Sequence, residues 1–193
     1  KIRSMSGLTG AAAAERVLHS AGIYDVSIQR ISGQLTDHYD PRTKTLRLSD
    51  STYGSNSIAA VCVAAHECGH AIQDKEKYGP LVLRSTLVPA ANFGSSLSWP
   101  GFIAGLILSI RPLVTAGIIL FSLAVLFQLV TLPVEFNASS RALKILESSH
   151  MLSDTELSGG RKVLKAAALT YVASLAASVL QLLRLIILSG GRR

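Results

Sequence analysis

Two cysteines among 193 residues leave no disulfide framework. Cys62 and Cys68 both fall in one expected helix, a usage typical of a reducing compartment. Charge is missing altogether from residues 113–134, which hold no Asp, Glu, Lys or Arg over 22 positions. As a helix this run is about 33 Å long, enough to cross a hydrocarbon core of about 30 Å. Acidic residues are few, 12 against 19 Lys and Arg, for a formal charge of +7. The basic residues do not alternate with aromatics, however, which excludes a nucleic-acid interface as the reason for the excess. A cleavable signal pattern, internal repeats and low-complexity tracts are absent too. Because Lys1 is not a start methionine, the natural N-terminus is expected to lie upstream.

With hydrophobic residues at 49%, the chain reads as a small soluble part joined to membrane helices. Residues 97–110 and 166–183 are two further apolar runs beside 113–134, and a chain of this length has too little other material to bury all three. The basic residues flank these runs unevenly. Lys75, Lys77 and Arg84 precede the first, Arg141 and Lys144 follow the second, and Arg161, Lys162 and Lys165 precede the third. Only Arg111 lies between the first two, with Arg184, Arg192 and Arg193 at the far end. The richer side is expected to be cytoplasmic. The expected organisation is a soluble part over 1–92, a transmembrane hairpin over 93–134, a polar helical segment over 135–165, a transmembrane helix over 166–188 and a tail over 189–193.

Within the soluble part, residues 8–20 read as an amphipathic helix capped by Thr9 and stopped by Gly22. Residues 26–31 and 45–48 alternate like strands, with a turn at Asp40-Pro41-Arg42-Thr43 before the second. A further helix, about 57–78, starts at Asn56 or Ser57 and ends or kinks at Gly79-Pro80. The fold class expected is mainly α with a small β-hairpin or sheet.

That helix carries His66-Glu67-Cys68-Gly69-His70, an H-E-x-x-H pattern in an uncharged setting. Residues four apart on a helix share a face, so both imidazoles can reach one metal ion. Glu67 then approaches a water on that ion as general base. Two His and a Glu in an apolar run would be costly to bury unpaired, which makes an incidental pattern the poorer account.

A catalytic zinc takes three protein ligands and keeps an open position. If 97–110 and 113–134 form a hairpin, Glu135 emerges on the side from which the chain left, and it is the candidate third ligand. Ser139, at i+4, faces the same way and could hydrogen-bond a histidine. Glu76 and Asp74 are poorer candidates, and His38 could approach from the sheet. Cys62, one turn before His66, is better read as a small packing residue. Asn137-Ala138-Ser139 matches a glycosylation acceptor only formally.

The segments H-E-C-G-H-A-I-Q, L-T-D-H-Y-D-P-R-T-K-T-L-R-L-S and L-P-V-E-F-N-A-S-S-R-A-L together resemble the YugP-type family of bacterial membrane zinc metallopeptidases, over nearly the whole chain. More distantly the chain is similar to HtpX-like and CAAX prenyl protease membrane peptidases. The resemblance implies a zincin-like, gluzincin-like domain with Zn²⁺ on His66, His70 and Glu135, Glu67 as the catalytic base, and a further N-terminal membrane helix. It departs from the distant relatives at Ser139, where they have Asp. It implies a multi-pass protein of the bacterial inner membrane with its active site on the cytoplasmic side.

The expected chemistry is zinc-assisted hydrolysis of a peptide bond, with zinc polarising a water and the scissile carbonyl. Glu67 would carry the proton from the water to the leaving amine. Tyr171, His38 and Arg141 are the candidate oxyanion donors. Substrates would be unfolded or membrane-associated polypeptides, held on a sheet edge. The partners expected are the polypeptide and the lipid bilayer, with no nucleic acid; a homo-oligomer or membrane adaptor is left open. The rival readings are a zinc-stabilised, non-catalytic membrane scaffold and a transporter or channel subunit with a regulatory metal site.

Overall fold

The computed structural model describes residues 2–190, so Arg192 and Arg193 at the expected tail lie outside the described residues. It forms helix α1 (Gly10–Ser20), strands β1 (Ser27–Ile31), β2 (His38–Asp40) and β3 (Thr45–Ser49), and helices α2 (Asp50–Tyr53), α3 (Ile58–Lys75), α4 (Gly79–Ile107), α5 (Arg111–Ser148) and α6 (Asp154–Gly190). The chain divides into two compact units. One comprises Lys1–Tyr78 and Val134–Ala168, the other Gly79–Pro133 and Leu169–Arg193.

The first unit is built around α3. Ser57 caps this helix, its hydroxyl accepting from the Ala60 amide at 3.3 Å. Thr9 does the same for α1, accepting from the Ala12 amide at 3.3 Å; both side chains satisfy amides that have no partner inside the helix. The buried face of α1, Ala13, Ala14, Val17 and Leu18, joins Val61, Ala64, Ala65 and Cys68 of α3 in one core with Leu46 and Leu48. Small residues on both helices let them pack closely. Helix α3 stops at Lys75 rather than at the Gly79-Pro80 pair. Lys77 turns left-handed at φ 51°, and the Lys75 ammonium is drawn onto the carbonyls of Ala21 and Gly22, at 2.8 and 3.0 Å, just past α1.

The sheet has three strands rather than two, in the order β1-β3-β2. Strands β1 and β3 are parallel, from Ser27 opposite Thr45 to Ile31 opposite Ser49, whereas β2 runs antiparallel, His38 opposite Arg47 and Asp40 opposite Thr45. At three residues, β2 is too short to display an alternating pattern, so only pairing with β3 reveals it. Between β2 and β3 lies the predicted turn. The Asp40 carboxylate accepts from the Arg42 amide at 3.0 Å and the Thr43 hydroxyl at 2.8 Å. Tyr39 then ties β2 to the end of α3, its hydroxyl donating to Asp74 at 2.9 Å.

At the start of α6, the Glu156 carboxylate reaches back to accept from the Ser153 amide and hydroxyl, both at 2.8 Å. The other oxygen of Glu156 accepts from the Met5 amide at 2.7 Å, fastening the N-terminal segment.

Among the described residues, two helices, α5 and α6, are long and apolar enough to cross a membrane. Helix α4, which takes in the expected run 97–110 only as far as Ile107 before a turn with Ser109 left-handed at φ 56°, is a continuous helix through Pro89 and Pro100. It is not one of the two, because Asn92, Ser95, Ser96 and Ser98 dilute its apolar surface. The hydroxyls of Ser95 and Ser96 return to the Asn92 carbonyl at 3.0 and 2.9 Å. The second unit has its own small core of Phe102, Val114 and Leu185.

Both cysteines are buried. Burial and the nearby Glu156 push the Cys62 thiol up to about 12, and burial together with the Glu67 charge also raises Cys68. Their sulfurs are therefore protonated at neutral pH, and only a thiolate is a good nucleophile. Alkylation by iodoacetamide at about pH 8, read by mass spectrometry, should be at least about a hundredfold slower for both in the native protein than after denaturation.

Candidate metal centre

Helix α3 places His66 and His70 one turn apart, their rings edge to face with centroids 4.9 Å apart. Helix α5 places Glu135 opposite. Its Oε2 lies 3.2 Å from His66 Nε2 and 3.6 Å from His70 Nε2. The three ligand atoms lie within 4.8 Å of one another. Tetrahedral zinc with bonds of about 2.0–2.1 Å holds neighbouring donors roughly 3.3–3.5 Å apart, so this N, N, O set fits the ion in type and spacing.

One glycine permits the meeting. A Cβ on Gly69 would stand 2.5 Å from the Ala138 carbonyl oxygen and 3.0 Å from Ala138 Cα. No larger residue allows α5 so near to α3 at that level. Cys68, its neighbour in the motif, points the other way and donates to the Ala14 carbonyl of α1 at 3.5 Å. The two residues between Glu67 and His70 thus serve the two helices that sandwich α3.

The outward nitrogen of each histidine also has a partner. His66 Nδ1 is 3.0 Å from Ser139 Oγ, and His70 Nδ1 is 3.0 Å from Gln73 Oε1. Such contacts leave Nε2 of both rings directed at Glu135. Burial alone would lower the pKa of His70; the carboxylates of Glu135 and Glu67 and the Gln73 amide outweigh it and raise the pKa above the usual histidine value. Glu67 is half-buried and close enough for its charge to act on His70.

Other residues named from the sequence are held elsewhere. The ring of His38 is engaged locally, Nδ1 2.8 Å from the Thr36 carbonyl and Nε2 3.4 Å from Arg47 Nη1. No described contact brings it to the triad. Asp74 is occupied by Tyr39 and Lys44, and Glu76 pairs with Arg141 at 2.6 Å. The Cys62 sulfur is buried against Gly160 of α6. Tyr171 belongs to the second unit and is 40% exposed. Arg141 also donates through Nε to Asn137 Oδ1 at 2.7 Å and stacks over the Tyr78 ring.

Gln73 and Asn137 are not among the site residues expected from the sequence. Gln73 is fully buried, and its amide donates to the Val134 carbonyl and to Asn137 Oδ1, both at 2.9 Å. A glutamine one turn past His70, on the buried side of an apolar helix, was the available signal, since a buried amide demands partners.

A pair of helical imidazoles, each with its outer nitrogen occupied, facing a carboxylate from a second helix is a donor set able to hold a single metal ion. The comparisons with known proteins are more specific. The sequence pattern of the family described as "Putative neutral zinc metallopeptidase" matches residues 1–190, and the chain belongs to that family. It is 50% identical over 188 residues to a Bacillus subtilis (strain 168) protein named "Putative membrane protease YugP", covering 97% of this chain and 84% of that one. No solved structure matches. Membership makes zinc the cofactor, and His66, His70 and Glu135 are a group able to hold it.

Two outcomes follow for metal binding. A proton on His70 takes the lone pair that a metal needs, so zinc affinity should fall as pH drops through the raised His70 pKa, beginning above the ordinary histidine value of about 6.5. Chelator competition between about pH 8 and about pH 5 measures this. Gly69→Ala should push α5 from α3, lower stability by about 1–3 kcal/mol and weaken zinc binding, as read by thermal unfolding of the zinc-loaded protein and by chelator competition.

Proposed function

We propose that the protein is a membrane-embedded zinc metalloendopeptidase that hydrolyses peptide bonds of unfolded or membrane-associated proteins. The observation that carries the reading is the convergence of His66, His70 and Glu135 beside the carboxylate of Glu67, in a chain half identical to one named as a membrane protease. His66 Nε2, His70 Nε2 and Glu135 Oε2 would hold zinc, with Glu67 as the base, in a zincin-like arrangement. When bound, zinc supplies Lewis acidity toward water and a scissile carbonyl.

The remaining work belongs to the chain's own groups. A Glu67 carboxylate oxygen takes the proton of the attacking water and later delivers it to the departing amine, so the base is regenerated within one turnover. Ser139 and Gln73 hold the outer nitrogens of the two rings, which keeps the inner nitrogens aimed during that transfer. Arg141, already committed to Glu76 and Asn137, is better placed to stiffen the site than to meet an oxyanion. An extended polypeptide would be held through its main chain along an edge of the three-stranded sheet.

Residues 1–92 would form the soluble part, 93–134 a transmembrane hairpin that includes α4, 135–165 the segment bearing the third ligand, and 166–188 the last crossing. The apolar surfaces of α5 and α6 and the weight of Lys and Arg around 75–84, 141–144 and 161–165 support a multi-pass protein of the bacterial inner membrane with its centre on the cytoplasmic side.

The test is proteolysis of casein by the detergent-purified protein, with and without chelator, beside Glu67→Gln. Wild-type cleavage should stop with chelator and return with zinc, while Glu67→Gln should retain zinc and lose at least about a hundredfold in rate. Undiminished activity in a zinc-loaded Glu67→Gln protein would refute the assigned base. A zinc-replete wild type that cleaves neither casein nor itself would favour a non-catalytic scaffold.

A further inference from the structure

We propose that Gln73, Asn137 and Arg141 form a positioning chain that fixes the His70 ring with its proton on Nδ1 and its lone pair on Nε2. This deepens the reading of the site as a zinc centre and rests on it.

The direction of every hydrogen bond in the chain follows from its far end. A guanidinium only donates, so the Asn137 atom 2.7 Å from Arg141 Nε is the oxygen, Oδ1. The Gln73 atom 2.9 Å from Asn137 Oδ1 must then be a donor, its amide nitrogen. A second, independent lock agrees. The same nitrogen lies 2.9 Å from the Val134 carbonyl, a backbone acceptor that no side-chain flip can reverse. Both N–H groups of Gln73 are thereby spent, and its oxygen faces His70 Nδ1 at 3.0 Å. Because an amide oxygen only accepts, Nδ1 carries the hydrogen and Nε2 the lone pair, on the side of Glu135.

Two helix faces supply the whole device. His70, Gln73 and Glu76 stand three apart along α3 and just past its end, while Val134, Asn137 and Arg141 stand three and four apart on α5, spacings that share a face. Arg141 is itself held by Glu76 at 2.6 Å and by the Tyr78 ring, 5.8 Å from its centroid. Gln73 has no exposed surface, so water cannot replace a missing partner. The other histidine differs. Ser139 Oγ beside His66 Nδ1 is a hydroxyl, which donates or accepts, and so imposes no tautomer.

The experiment measures zinc affinity by chelator competition in the full-length protein in detergent, with helical content and elution volume recorded for each variant. Gln73→Met should raise the zinc Kd about 10–100-fold. Asn137→Leu, which leaves Gln73 free to rotate, should raise it by about tenfold, whereas Asn137→Asp, which keeps an oxygen for both Arg141 and Gln73, should stay within about threefold of wild type. Histidine nitrogen NMR of the zinc-loaded wild type should find the metal on His70 Nε2 and a slowly exchanging proton on Nδ1. Metal on Nδ1, an unchanged Kd in Gln73→Met, or an Asn137→Asp loss equal to that of Asn137→Leu would overturn the proposal. Because none of these readouts is proteolysis, a protein that obeys them yet cleaves nothing refutes the proposed activity alone. Normal cleavage with an indifferent Gln73 refutes the positioning chain alone.

Discussion

Everything at the metal centre depends on how closely α5 approaches α3 at Gly69. The histidines occupy one helix and the acid another, so the site exists only where the two backbones come nearly into contact, with the Ala138 carbonyl where a Gly69 side chain would be. The closeness also accounts for the buried polar groups between the helices. Gln73 cannot be hydrated there, and its three hydrogen bonds replace those that water would have provided. A dry contact therefore carries polar groups at little net cost, since each is matched.

The support around the imidazoles is neutral. A hydroxyl stands behind His66 and an amide behind His70, where a carboxylate would add negative charge to a group that already includes Glu135 and Glu67. Neutral partners orient the rings without further crowding of acids, and the charged pair Arg141–Glu76 sits one step removed. Charge is thus kept at the ion-binding face and at the rim, with amides in between.

Much of this arrangement was legible in the residues, for reasons that differ from part to part. The spacing of His66, Glu67 and His70 is meaningful because a helix converts i, i+4 into one face, and the caps Thr9 and Ser57 signal helix starts through their own chemistry. Glu135 was reachable because it ends an uncharged run. Strand β2 was not, since three residues carry no period of their own and acquire strand geometry only from β3. Gly79-Pro80 is expected to end or kink α3, but a left-handed Lys77 and the pull of Lys75 on the end of α1 stop it earlier. Gln73 stayed hidden because a lone amide has no pattern; its importance comes from Val134 and Asn137, far along the chain, which only the tertiary fold brings to it. Arg141 reads from the sequence as a membrane flank and a candidate oxyanion donor, while its contacts lie with Glu76 and Asn137.

The donors of the centre are divided by two long uncharged stretches, 85–110 and 112–134, with the two histidines before them and Glu135 directly after. A growing polypeptide that has emerged only as far as α4 holds two of the three residues. The third arrives with α5, after those stretches have left the ribosome. The order of these residues along the sequence therefore means that the group of three is complete only once the uncharged stretches have been made.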